Sequence, residues 1–294
     1  MFAFPKKYNT FAPIFNFYTM IYYPIAKINL GLNVVGKRSD GYHNLETVFY
    51  PVQIKDALEV YPMDEGFPSA VDCDLKVTNA SFDCDEQQNL VVRAYRQLAT
   101  IYALPRVHAH LFKAIPSQAG LGGGSSDCAY MIMALAKLFE LPMTETEMIY
   151  HASKLGADCA FFIKGTPCYA EGIGEQLTPI SLSLKGCHLV LVHPNIPVST
   201  REAFSLIEPR PTVRKCREIV SQPIGTWRDQ LTNDFEKSVF ALHPEIGEIK
   251  EELYRRGADY AAMSGSGSSV FGIFKEETDL RQVFEGMEVM QVAL

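Results

Sequence analysis

PSQAGLGGGSSD, residues 116–127, sets Gly120, Gly122, Gly123 and Gly124 just ahead of Ser125, Ser126 and Asp127. Glycines let backbone amides approach an anion without side-chain obstruction, and a helix beginning in this stretch adds unpaired N–H groups and its dipole. A polyphosphate is the natural occupant. Ser125 and Ser126 can cap that helix or donate hydroxyls to phosphate or a metal, and the two roles are compatible. A turn that only caps a helix needs fewer glycines than this. The stretch is not a Walker A loop, which carries Lys and then Ser or Thr after its last glycine, nor a dinucleotide fingerprint, because Ser125 stands where the third small residue belongs. GLNVVGKR, residues 31–38, has Walker spacing but ends on Arg38 and leads into turn residues, so it is set aside.

Upstream of the loop, Arg106 to Ile115 reads as a strand; downstream, Ser125 to Glu140 places Ala129, Ile132, Met133, Ala136 and Phe139 on one helical stripe. Asn89 to Tyr102 carries Leu90, Ala94, Leu98 and Ile101 at helical spacing, and Thr144 with Glu147 forms a capping box for a helix that Gly156 ends. Ile25 to Leu32 alternates Ala26, Ile28, Leu30 and Leu32 with Lys27, Asn29 and Gly31, which predicts a strand with one polar face. After the turn cluster SDGYHN (39–44), LETVFYPVQI and DALEVYP read as two more strands. SLSLKGC (181–187) marks a boundary, beyond which the strand HLVLVHP, two or three helices and a final strand in SVFGIF make a second unit. The expected class is α+β, with domains at 20–183 and 184–294.

A composition of 47% hydrophobic and 21% charged residues supports a folded core, and a net charge of -7 argues against a broad nucleic-acid surface. Seven cysteines, an odd set without a CxxC pair, suggest neither a disulfide framework nor a zinc knuckle and fit a reducing cytoplasm. Lys6 and Lys7 precede an uncharged, aromatic-rich stretch. Pro13, Asn16, Thr19 and Pro24 interrupt it and no small-residue cleavage site follows, so it is read neither as a signal peptide nor as a membrane span. Residues 1–19 are then an extension ahead of Met20.

Two further segments carry chemistry. In LGADCAFF (155–162), Asp158 follows a helix end and precedes an apolar run read as a strand; its carboxylate either caps local amides or, kept ionised by a nearby cation, takes the proton of an attacking hydroxyl. Lys27, on the polar side of the first strand, is the candidate cation. MSGSGSSVFGIF (263–274) is a flexible Gly/Ser loop entering a strand, and it either closes over the phosphate loop or is only a turn. His108 and His110 share a strand face without a third ligand, so no zinc site is assigned.

AKINLGL (26–32), GKRSDGYHNLETVF (36–49), IPSQAGLGGGSSD (115–127), LGADCAFF, EGIGE (171–175) and MSGSGSS (263–269), in that order, resemble the GHMP kinase superfamily. Within it they are most similar to the 4-diphosphocytidyl-2-C-methyl-D-erythritol kinase family of the non-mevalonate isoprenoid route, and the DGYHNLETVF segment is the most specific part. The resemblance implies a two-domain GHMP kinase: an N-terminal domain like ribosomal protein S5 domain 2, a ferredoxin-like C-terminal domain, and the active site between them. It implies Lys27 and Asp158 as the catalytic pair. ATP with Mg²⁺ would use Pro116, Ala119, Gly120, Leu121, Gly122, Gly123, Gly124, Ser125 and Ser126, with Asn89 near the adenine. Asn29, Tyr42, His43, Phe49, Thr200 and Phe204 would hold the cytidine diphosphate substrate, and Ser264, Gly265, Ser266 and Gly267 would close the phosphate site. Gln118 departs from the family's usual glycine. The expected partners are small molecules, not nucleic acid or membrane, and a homodimer is admitted. The alternatives are a GHMP kinase for homoserine or a mevalonate derivative, and a non-catalytic nucleotide-binding member; GYH (41–43) argues against the first and retention of Lys27 with Asp158 against the second.

Overall fold

A computed structural model describes residues 20–79 and 86–294; the extension expected at 1–19 lies outside the described residues. Numbered in chain order, the strands form three four-stranded sheets. The first has the order β1 (Met20–Tyr22), β4 (Ala57–Pro62), β6 (Val107–Phe112), β5 (Cys73–Thr78), with only β5 and β6 parallel. Helices α1 (Leu90–Tyr102), α2 (Gly123–Leu138), α3 (Glu145–Leu155) and α4 (Cys159–Lys164) share a hydrophobic core with it. The second sheet, antiparallel throughout, has the order β2 (Ile25–Lys37), β3 (His43–Lys55), β7 (Cys168–Gly172), β8 (Gln176–Pro179).

The third sheet runs β10 (Tyr260–Met263), β11 (Val270–Phe274), β9 (His188–His193), β12 (Glu288–Ala293), every pair antiparallel. Counting from β9, this is the 4-1-3-2 order of a ferredoxin-like sheet reversed in listing, with the second crossover helix replaced by turns over 275–287. Four helices rather than two or three join β9 to β10: α5 (Thr200–Phe204), α6 (Cys216–Ile219), α7 (Phe235–Leu242) and α8 (Pro244–Arg255). The strands β10 and β12 add to the one strand read near the C-terminus. One apolar cluster joins Ile28 and Leu30 of β2 to Leu189, Leu191 and Phe271 of the third sheet, so the two halves share a core. Among the described residues, no helix is long and apolar enough to cross a membrane.

Four local expectations need correction. β2 buries both faces: Lys27 and Asn29 are 3% exposed, because the side read as polar is covered rather than solvated. The run after Asp158 is the short helix α4, not a strand; a brief, wholly apolar segment carries no period to separate the two. In α1, Ala94 and Leu98 face the core as read, together with Val91, Val92 and Tyr95, while Ile101, in the last turn, is exposed. Helix α3 keeps its Thr144/Glu147 capping box but ends on Gly156 in extended conformation, not the left-handed one.

Gly31 interrupts β2 with a register shift between Leu30 and Leu32, at φ +70°. A Cβ there would stand 2.6 Å from Leu231 Cδ1 and 2.7 Å from Cys216 Sγ, so only glycine lets the segment around Leu231 close on this strand. Gly31→Ala should therefore destabilise the fold by about 1–3 kcal/mol through overpacking and left-handed strain, read as a lower urea midpoint with an unchanged slope.

Candidate active site

The glycine loop ends as the first turn of α2. Gly122 is the N-cap and no side chain caps this helix, so neither Ser125 nor Ser126 has a capping role. Gly120 and Gly122 stand at φ +76° and +71°. A Cβ on Gly120 would lie 1.8 Å from the Ser264 carbonyl oxygen, and one on Gly122 would lie 2.8 Å from the Phe162 ring. Gln118 takes φ +54°, so a non-glycine residue here adopts the left-handed conformation.

Pro116, Ala119, Leu121, Gly123, Gly124 and Ser125 line a cavity of about 570 Å³ together with these glycines, Asn89 and Leu90. Asn89 also caps α1, its Oδ1 accepting from the Val91 amide at 2.9 Å. Ser126 does not border the cavity. Successive helical residues turn by about 100°, which rotates its side chain inward; it is fully buried and its Oγ has no protein partner. Ser126, which the resemblance places with ATP, therefore does not stand on the cavity wall.

Gly120 and Gly122 also border a second chamber of about 230 Å³, which holds Lys27, Asn29, Phe49 and Asp158. The buried Lys27 ammonium donates to Asn29 Oδ1 at 2.6 Å and to the Gly120 carbonyl at 2.8 Å, lies 3.5 Å from Asp158 Oδ2, and sits 5.2 Å over the Phe49 ring. Burial lowers its pKa, and the Asp158 carboxylate opposes that. The Asp158 side chain is 31% exposed and makes no capping bond to α4, which leaves its oxygens facing the chamber.

Thr200 and Phe204 border this chamber and also a third recess of about 470 Å³ that holds Tyr42 and His43. The His43 ring stacks on Phe204, centroids 4.7 Å apart and planes 24° apart, and Tyr42 is largely exposed. Leu45 and Ile173 line both spaces, although neither was singled out from sequence; Ile173 lies inside EGIGE, where its flanking glycines were the only signal. The Gly/Ser segment is not a free flap. Ser264 is buried, donates to the Gly120 carbonyl at 2.9 Å and accepts from the Asn29 amide at 3.3 Å. Gly265 and Ser266 border the Lys27 chamber, while Gly267 packs against Met263.

Residues 89–166 match the model of the GHMP kinases N terminal domain, and residues 216–290 match that of the GHMP kinases C terminal domain. A 4-diphosphocytidyl-2-C-methyl-D-erythritol kinase of Bacteroides fragilis is 50% identical over 276 residues, covering 94% of this chain and 100% of the relative. This chain belongs to the GHMP kinase family. A second kinase of the same name, from Bacteroides thetaiotaomicron, is 49% identical over 92% of this GHMP kinase and 97% of its own length. A crystal structure of 4-(cytidine 5'-diphospho)-2C-methyl-D-erythritol kinase superposes with a TM-score of 0.75 at 29% identity, covering 93% of this chain and 99% of that one. A mevalonate kinase structure, at TM-score 0.67 and 14% identity over 92% of this chain and 98% of its own, shares the fold alone.

Beneath the phosphate loop this GHMP kinase carries a charged cluster with no local sequence signal. Lys113 pairs with Asp56 and, at 2.7 Å, with Asp127 Oδ2, all three buried. Asp56 Oδ1 also accepts from the Ala114 and Ile115 amides at 2.6 and 2.8 Å. Burial pulls the Lys113 pKa down, but the two carboxylates outweigh it and the net shift is upward. Burial pushes Asp127 up to about 7 against the pull of Lys113, and its Oδ1 has no protein partner. The folded chain thus holds a proton that the unfolded chain releases near the ordinary value of 3.8. Stability from that proton is full below this value and is lost as pH rises from about 4 to about 7. Relative to Asp127→Asn, which keeps an acceptor for Lys113, the wild type should lose unfolding free energy across that interval and hold a constant difference above it. Urea unfolding of both proteins from pH 4 to 8 measures this.

Proposed function

We propose that this chain transfers the terminal phosphoryl group of ATP to the 2-hydroxyl of 4-diphosphocytidyl-2-C-methyl-D-erythritol, in the methylerythritol phosphate route to isoprenoid precursors. The observation that carries the reading is the series of three adjoining spaces. The phosphate loop separates the first from the second, Lys27 and Asp158 occupy the second, and the aromatic wall of His43 and Phe204 borders the third. A nucleotide donor, a reacting hydroxyl and a flat polar handle need that order. The similar kinases are named for such a substrate.

Phosphoryl transfer asks a protein mainly for positioning and charge neutralisation. ATP lies in the first cavity with its triphosphate along the loop amides and the α2 N-terminus. The acceptor hydroxyl faces Asp158, which takes its proton as the new P–O bond forms and the bond from the γ-phosphorus to the bridging oxygen breaks, with ADP leaving carrying that oxygen. Lys27 keeps that carboxylate ionised and meets charge developing on the transferred group. The cytidine end lies against His43, Tyr42 and Phe204, and its binding energy holds the hydroxyl in line. Among the described residues, no group of three His, Cys, Asp or Glu side chains could hold a metal by itself. A Mg²⁺ ion, which retains water and phosphate oxygens as ligands, would take the Ser125 hydroxyl on the cavity wall as its protein oxygen. When bound, Mg²⁺ supplies neutralisation of the phosphate oxygens.

We place the division of labour at residue 184: residues 20–183 carry Lys27, Asp158 and the phosphate loop, and residues 184–294 contribute Thr200, Phe204 and the Ser264 segment. The cysteine usage supports a cytoplasmic setting. The test is an ATP turnover assay with a panel of acceptors. The cytidine diphosphate alcohol should be phosphorylated far faster than free methylerythritol, homoserine or mevalonate, and equal rates would redirect the search to another acceptor. Asp158→Asn should cut kcat by about 100-fold or more while leaving calorimetric ATP affinity near wild type.

A further inference from the structure

We propose that Asn233, remote in sequence from every motif of the site, is a positioning residue for Lys27, acting through the Ser264 segment and the Gly120 carbonyl. The inference rests on the reading of Lys27 as the working cation and adds the device that sets its hydrogen bonds. Asn233 belongs to a short stretch laid beside β2, the strand that carries Lys27. The Leu32 amide donates to the Thr232 carbonyl at 2.9 Å, and the Asp234 amide donates to the Leu32 carbonyl at 2.8 Å. From there the buried Asn233 carboxamide nitrogen donates to two carbonyls of one turn, Met263 and Gly265, both at 2.8 Å. Its Oδ1 accepts from the Phe235 amide at 3.0 Å, so the side chain is fixed at both ends.

Met263 and Gly265 flank Ser264, and holding both fixes the residue between them. Ser264 Oγ donates to the Gly120 carbonyl at 2.9 Å, the same oxygen that accepts from Lys27 Nζ at 2.8 Å. The contact has no slack, because a Cβ on Gly120 would stand 1.8 Å from the Ser264 carbonyl oxygen. The turn is anchored on its other side by the Met263 amide donating to Glu236 Oε1 at 2.9 Å, with Glu236 Oε2 held by Lys250 at 2.6 Å. The path therefore runs from Asn233 through the two carbonyls that flank Ser264, along the backbone to Ser264 itself, and then by hydrogen bonds to the Gly120 carbonyl that also accepts from Lys27.

The consequence concerns an ammonium that burial already disfavours. Carbonyl and carboxamide acceptors stabilise its charged form, so a displaced Gly120 carbonyl should lower the Lys27 pKa further. The groups facing Lys27 are Asp158 from the N-terminal end of α4, Asn29 on β2, Phe49 on β3 and Gly120 of the loop, and of these only Asp158 titrates. Glu236 and Lys250 titrate behind the turn and are left unchanged by the substitutions below.

The test is a titration of the Lys27 side-chain ¹³Cε resonance, assigned by its loss in Lys27→Met, in wild type, Asn233→Ala and Ser264→Ala. Both variants should titrate lower than wild type by about half a pH unit or more, as expected when one good acceptor is lost. The double variant should shift no further than the larger single one, since both cut the same path. A folded variant whose Lys27 midpoint equals that of wild type overturns the proposal. If Asn233→Ala does not fold, because Phe235 loses its acceptor, Asn233→Asp, which keeps that acceptor and removes the donor to the Met263 and Gly265 carbonyls, decides in its place by the same midpoint. Turnover assays of the same proteins should show kcat reduced with KM for the cytidine substrate unchanged, and the reverse pattern also counts against it. Absence of turnover in wild type would remove the functional reading, while the resonance titration would still decide the positioning role.

Discussion

A buried ammonium organises this molecule. Lys27 is 3% exposed, and a charge held that far from water persists only where acceptors and a counter-charge surround it. Its own strand supplies Asn29 Oδ1, the phosphate loop supplies the Gly120 carbonyl, and the start of α4 supplies Asp158. Those three sources come from widely separated parts of the chain, so satisfying one side chain fixes their mutual placement. The main chain repeats the constraint, since the Lys27 amide donates to the Leu121 carbonyl at 3.0 Å. Glycine loop, cation and carboxylate are therefore parts of one polar assembly.

The sequence disclosed what local chemistry encodes. The glycine loop was readable because close backbone approach to an anion needs glycine, and the structure shows two of those glycines blocked by Ser264 and Phe162 against any larger residue. The α3 capping box was readable because both of its members lie within one turn. Lys27 and Asp158 stood out as charges flanked by apolar residues, and the fold brings them to 3.5 Å.

What stayed hidden depends on long-range packing. Asp56, Lys113 and Asp127 meet across separations of 57 and 14 residues, and nothing near any one of them marks the others. The helical state of CAFFIK at 159–164 was obscured because six apolar or terminal residues show no period. Ser126 sits beside Ser125 in a motif that treats them alike, and only the helical turn sends one to the cavity and the other to the core. Strand β12 pairs with β9 along its whole length, yet its alternating residues are only partly buried and give a weak signal.

The closeness of Gly120 to Ser264 bears on how such enzymes can be recombined. The two residues belong to different halves, and their backbones approach to a distance that leaves no room for one methyl group. Halves taken from two relatives meet first at this seam, where a shift of a fraction of an ångström separates contact from collision. A chimaera's success is thus governed less by overall likeness of the exchanged halves than by whether both parents set this one backbone crossing at the same height.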